Sequence, residues 1–148
     1  MAALPAKLKE LLDAFALFSD PAERATLLLG YADQFKEVPP SIATRPFPQT
    51  HQVPQCESDA YVWAIRQPDG TLKLHFAVEN PAGVSARALA AILDKTLSGL
   101  PPEIIEAVPP DIVEQIFRQN LSMGKGLGLT SMVQAVRALA RQAAKTPR

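Results

Sequence analysis

Leu8, Leu11, Leu12, Phe15 and Phe18 recur at helical spacing, with Lys7, Lys9, Glu10 and Asp13 on the opposite side. This apolar stripe predicts a helix from Leu4 to Phe18. Ser19-Asp20-Pro21-Ala22-Glu23 then reads as a restart. Asp20 is suited to cap exposed amides, Pro21 to the first helical position, and Glu23 to the capping-box position. The second helix is predicted to run to about Phe35, burying Leu27, Leu28, Tyr31 and Phe35, and to form a hairpin with the first. From Val38 to Pro54 the pattern breaks: Pro39, Pro40, Pro46, Pro48 and Pro54 remove amide donors and disfavour helix. This is an irregular connection that leads to Cys56.

Alternation with a period of two follows. Tyr61, Trp63 and Ile65 share one strand face, and Ala60, Val62 and Ala64 the other. Both faces are apolar, which predicts a central strand. Gln67-Pro68-Asp69-Gly70 is a hairpin turn. Leu72, Leu74, Phe76 and Val78 alternate with Thr71, Lys73, His75 and Ala77, giving a half-exposed second strand. Thr50 to Val53 is a candidate third strand. The remainder reads as helices: Ala86 to Ser98, capped by Ser85 and stopped by Gly99; Pro101 through Ala107; a helix from Pro110-Asp111; and Leu129 to Ala144. Gly124-Lys125-Gly126-Leu127-Gly128 reads as a flexible joint before the last. The expected fold is a single α+β domain over residues 1–148, with a small three-stranded antiparallel sheet and helices packed mainly on one side.

Composition narrows the function. The chain has 148 residues, 47% hydrophobic and 20% charged, as expected of a globular protein with its own core. Fifteen basic residues balance fifteen acidic ones, so neither nucleic acid nor an anionic membrane is an expected partner. No apolar run is long enough to span a bilayer. The N-terminal residues lack the layout of a secretory signal, and the expected location is cytoplasmic.

Cysteine is the informative count, because there is one, Cys56. An intramolecular disulfide and a four-cysteine metal site within the chain are excluded. The two histidines, His51 and His75, and Cys56 fit no common metal-ligand spacing. A lone cysteine is ordinarily a small buried hydrophobe. Its setting here, Val53-Pro54-Gln55-Cys56-Glu57-Ser58-Asp59, is instead a polar loop just before a strand, where function concentrates. A single thiol also suits a persulfide carrier, since a neighbouring thiol would attack the persulfide and release sulfide. Glu57 and Asp59 favour the neutral thiol if they are close in space. Ser58 is a candidate for shaping the loop, or an ordinary turn serine. His51 is a candidate for assisting proton transfer. His75 reads as a surface histidine and Trp63 as core. Gly124, Gly126 and Gly128 follow no strand, so they form no dinucleotide motif.

Nearly the whole chain resembles the SufE family of cysteine-desulfuration proteins. Leu27-Leu28-Leu29-Gly30-Tyr31-Ala32 resembles the family's early helix. The stretch Val53 to Tyr61 resembles its V-x-G-C-x-S-x-V-W signature, with Val53, Cys56 and Ser58 matching. Leu121 to Leu129 resembles its L-[ST]-x-x-R-x-x-G-L motif, with Leu121, Ser122, Gly128 and Leu129 matching. Gln55 stands where the family has glycine, Tyr61 where it has tryptophan, and Lys125 where it has arginine. The resemblance implies a SufE/NifU-like fold and a sulfur-relay protein rather than an enzyme. Cys56 would accept persulfide sulfur from a SufS-like cysteine desulfurase, stimulate it, and deliver the sulfur to a SufBCD-like iron–sulfur scaffold. It implies no cofactor of the chain's own, the pyridoxal phosphate belonging to the desulfurase. Lys125 becomes a candidate partner contact, and Gln55, Glu57, Ser58, Asp59 and His51 become candidate supports of the cysteine loop. Three other readings compete. A single-cysteine, peroxidase-like thiol enzyme needs a base or donors around Cys56. A cluster scaffold needs several thiolates. A desulfurase-binding adaptor needs no thiol at all.

Overall fold

The two alternating segments pair as their patterns predict. In a computed structural model describing residues 4–56, 58–121 and 123–146, β1 (Ala60–Arg66) and β2 (Leu72–Val78) run antiparallel. Ala60 lies opposite Val78 at one end and Arg66 opposite Leu72 at the other. Gly70 turns the chain between them with φ 89°, its amide donating to the Gln67 carbonyl at 2.9 Å. That backbone angle is the reason for glycine here.

The expected third strand is corrected by the structure. Gln49–His51 forms a 3-10 turn, followed by one isolated bridge between Gln52 and Tyr61. Among the described residues the sheet has two strands. Pro48 and Pro54 hem in the segment, and neither has an amide to continue a ladder. What remains is a single bond, Val53 amide to Ala60 carbonyl at 2.8 Å. The outer edge of β2 is covered in the same piecemeal way, by bridges from Glu37 to Phe76 and from Leu100 to Leu72.

Among the described residues, six helices complete the α+β fold: α1 (Ala6–Ala16), α2 (Pro21–Asp33), α3 (Val84–Leu97), α4 (Pro102–Glu106), α5 (Ile112–Phe117) and α6 (Met123–Lys145). Their apolar faces enclose the main core with Ala60, Val62, Leu72, Leu74, Phe76 and Val78 from one sheet face. The other sheet face is covered by the proline-rich connection rather than by a helix. There Val38 and Phe47 close over Tyr61, Trp63 and Ala77. Trp63 is therefore buried as expected, in a separate aromatic cluster. Phe47, His51 and Tyr61 surround it at ring-centroid distances of 5.4, 5.1 and 6.3 Å.

Three local expectations are also corrected. The first two helices do not form a hairpin: α2 lies along α3, while α1 packs against α5 and α3. The stripe of α1 is consumed by those later helices. The α3 helix begins at Val84, with Gly83 at its cap position, so Ser85 lies inside the first turn rather than before it. The glycine-rich joint is helical and forms the start of α6.

Arg24 holds the ends of these helices together. It is fully buried near the start of α2. Its guanidinium donates to the carbonyls of Phe15 at 2.5 Å and Phe18 at 2.6 Å. It also donates to the carbonyls of Gln115 at 3.2 Å and Ile116 at 2.7 Å. One planar cation thus ties carbonyls at the end of α1 and just after it to carbonyls within α5. Burial, aided by the nearby Arg118 charge, lowers its pKa from the ordinary arginine value.

Candidate functional site

Cys56 is half-buried in the loop that enters β1. The loop is fixed on both sides. Upstream, Val53 is tied to Ala60. Downstream, the Asp59 amide donates to the Cys56 carbonyl at 3.3 Å, and the Asp59 carbonyl accepts from Glu79 at 3.1 Å. The Ser58 carbonyl accepts from the Asn80 amide at 3.1 Å. Gln55 and Asp59 flank the cysteine with left-handed backbone angles, φ 60° and 51°. Side chains with a β-carbon adopt these angles at a cost. They turn the chain sharply on either side of Cys56.

The last helix presses on that loop. A β-carbon built on Gly128 of α6 would lie 3.1 Å from the Cys56 α-carbon and 3.1 Å from the Gln55 carbonyl oxygen. Glycine at position 128 thus lets the helix backbone reach the cysteine loop. On the other side, a β-carbon on Gly83 would meet the Ser58 β-carbon at 2.9 Å, so the turn before α3 packs against the same loop. That turn is itself stapled. The Asn80 side chain accepts from the Ala82 amide at 2.9 Å, and Arg87 donates to the carbonyls of Asn80 and Pro81, each at 2.9 Å.

Between these elements lies a pocket of about 250 Å³, bordered by Cys56, Ser58, Asn80, Ser85, Lys125 and Gly128. Apolar contacts come from Val84, Ala86 and Leu129. The starts of α3 and α6 both border it, and the positive ends of their dipoles favour negative charge there. A more open groove of about 580 Å³ also reaches Cys56, along Gln49, Gln52, Val53, Pro54 and Gln55.

The structure thus brings together Cys56, Ser58 and Lys125 at one pocket, with Gln55 at its neighbour. Glu57 and Ser122 lie outside the described residues. The Asp59 carboxylate acts on the Tyr61 phenol, which is pushed up chiefly by its hydrogen bond to Glu79, then by burial. His51 is engaged elsewhere. Its Nδ1 lies 2.9 Å from the Val62 carbonyl, its ring stacks on Trp63, and it borders neither cavity reached by Cys56. His75 is half-buried on β2, opposite Trp63. Burial lowers its pKa from the ordinary value, Lys73 adds to this, and Asp94 opposes it. The α3 side of the pocket, Asn80 to Ala86, escaped sequence reasoning. Asn80-Pro81-Ala82-Gly83 carries turn chemistry that marks a tight entrance to a helix, but nothing in it points toward Cys56.

No cluster of three His, Cys, Asp or Glu residues able to hold a metal ion occurs among the described residues. No helix among them is long and apolar enough to cross a membrane.

The sequence profile of the family described as "SufE: Fe-S metabolism associated domain" matches residues 9–140. No curated protein matches the chain. Among solved structures, the solution structure of a hypothetical protein from Thermus thermophilus is similar, with a TM-score of 0.77 and 25% identity. The similarity covers 97% of this chain and 100% of that one.

Proposed function

The chain belongs to the SufE family of Fe–S-metabolism-associated domains, and on that premise we propose that Cys56 is a sulfur acceptor. It takes sulfur from a cysteine desulfurase as a persulfide and passes it on for iron–sulfur cluster assembly. The observation that carries this reading is the position of the chain's only thiol, at the boundary between a small pocket and an open groove.

The transfer is an exchange at sulfur. The Cys56 thiolate attacks the outer sulfur of the donor's cysteine persulfide. A new S–S bond forms to Cys56, the donor's S–S bond breaks, and the donor's cysteine leaves as a thiolate that takes up a proton. No electrons are gained or lost overall. The pyridoxal phosphate that frees sulfur from cysteine belongs to the donor. The pocket beside Cys56 has room for one further sulfur atom, and the helix starts that border it favour a persulfide anion. Shelter there slows oxidation of the sulfur. With no second thiol in the chain, the persulfide is not lost to an internal disulfide and waits for an external acceptor, a scaffold protein. The relay belongs to the cytoplasm, where thiols are kept reduced.

Intact mass spectrometry after incubation with a cysteine desulfurase and cysteine tests the reading. The expected result is a gain of one sulfur mass that reductant removes and that Cys56→Ser abolishes. The same variant is expected to lose stimulation of the desulfurase. Full stimulation by Cys56→Ser would instead make the chain an adaptor. Rapid peroxide consumption dependent on Cys56, without a desulfurase, would make it a thiol enzyme.

A further inference from the structure

The outer edge of β2 is bridged only near its two ends, from Phe76 to Glu37 and from Leu72 to Leu100. Along the stretch from Lys73 to Phe76, β2 borders a hollow of about 680 Å³. The segment that leaves α2 and one side of α3 form its other walls. It is larger than either cavity that reaches Cys56 and shares no residue with them. Its volume lies within the usual range of small-molecule sites. Ala90 and Ala91 on α3 leave the space open, and Phe35, Leu74 and Phe76 add apolar surface.

The strand edge in this hollow is largely used by the chain itself. The Leu74 amide donates to the Ser98 hydroxyl at 3.0 Å, and the Phe76 carbonyl accepts from the Val38 amide at 2.8 Å. An added strand would find few free groups, so a compact molecule fits better than an extended chain. The charges bordering the hollow are not balanced. Asp94 accepts from Lys73 at 2.5 Å and from the Ser98 hydroxyl at 2.6 Å. Glu37 is paired with Arg45 at 2.7 Å. Both carboxylates are thus engaged. Lys36 and Lys95 are exposed, and neither forms an ion pair among the described residues. Lys36 lies just past α2 and Lys95 in the last turn of α3. The two helix ends offset roughly half a unit of charge each, which leaves a positive surplus. His75 borders the same hollow. Burial lowers its pKa from the ordinary value, so at neutral pH it offers a donor and an acceptor rather than a charge.

From this arrangement we infer that the hollow beside β2 is a second binding site, for a small organic anion. Lys36 and Lys95 take its charged head, and Phe35 and Leu74 take its apolar body. A phosphate or a carboxylate supplies the head, and the test separates the two. The inference stands apart from the sulfur-acceptor reading, since no residue of the cysteine loop borders this hollow.

The test titrates four probes into the full chain and follows amide chemical shifts. Phenyl phosphate and benzoate carry both a charged head and an apolar body. Inorganic phosphate lacks the body, and benzyl alcohol lacks the charge. One of the first two is expected to move amides within residues 34–37, 73–76 and 90–95, and the tighter of them identifies the head. Inorganic phosphate and benzyl alcohol should each bind more weakly. Lys36→Gln/Lys95→Gln should weaken the tighter probe about tenfold, from the loss of two charged contacts. Lys7→Gln/Lys9→Gln, on α1, should leave it unchanged. Matched melting temperatures check that both variants fold. The inference is overturned if neither organic anion moves these amides at millimolar concentration. It is overturned equally if inorganic phosphate or benzyl alcohol binds as tightly, or if the α1 variant weakens binding as much. None of these outcomes bears on the loading of Cys56.

Discussion

Gln55 occupies a backbone angle that glycine accepts freely, φ 60°, in a loop whose family signature has glycine there. The left-handed angle costs a residue with a β-carbon about 1 kcal/mol. Glycine removes that cost and loses roughly half of the gain to its greater freedom when unfolded. Gln55→Gly is therefore expected to raise the melting temperature by about 1–2 °C. A fall would mean that the glutamine side chain contributes more than its backbone angle costs. His75 gives a second prediction at this scale. Its folded pKa lies below the unfolded value because burial disfavours the charged ring. The unfolded chain then binds the proton more readily than the folded one. Stability contributed by neutral His75 is fully present above about pH 6.5 and is lost as the pH falls through the folded pKa. Urea midpoints at pH 8 and pH 5.5 should differ less in His75→Gln than in the unaltered protein.

At the scale of elements, Arg24 decides how the early helices sit. Its four carbonyl partners lie in two separate parts of the chain. Arg24→Met fills similar space but takes the guanidinium donors away from those carbonyls, at an expected cost of about 3 kcal/mol. Lysine has the charge but not the planar fork, so Arg24→Lys should recover only part of this. Urea denaturation of the three proteins checks the order. The role of Arg24 was not legible beforehand, because within Pro21–Asp33 an arginine reads as one more solvated helix residue. What periodicity shows is whether a helix has a buried side, and α1, α3 and α6 were readable on that basis. It does not show which helix another will lie against, so the expected hairpin of α1 and α2 gave way to packing on α3 and α5. The third strand failed for a related reason. Thr50 to Val53 has strand-like residues, but the neighbouring prolines leave it one bridge long.

At the scale of the whole molecule, Gly128 joins the last helix to a loop near the middle of the chain. The sequence marks Gly124 to Gly128 as glycine-rich, and that composition argues for a joint. The structure makes it helix, and at Gly128 the contact with Cys56 and Gln55 requires a backbone without a side chain. Such a contact, between residues 72 positions apart, leaves no trace in local pattern. The cysteine loop itself was readable, from its polarity and its place before β1. The α3 wall of its pocket was not, since it depends on how β2 and α3 return the chain to the loop. Gly128→Val is expected to force loop and helix apart. It should speed alkylation of Cys56 by iodoacetamide several-fold and cost about 1–3 kcal/mol of stability. A stability loss with no change in alkylation rate would show that the helix, and not the loop, gives way.

The buried indole of Trp63 is the only one in the chain. Its imidazole neighbour, His51, rests against it and belongs to the segment that leads into the cysteine loop. Intrinsic fluorescence at indole wavelengths therefore originates from a single, known position. Any rearrangement that lifts His51 off that ring alters the emission, so the segment that enters the cysteine loop can be followed without an added dye.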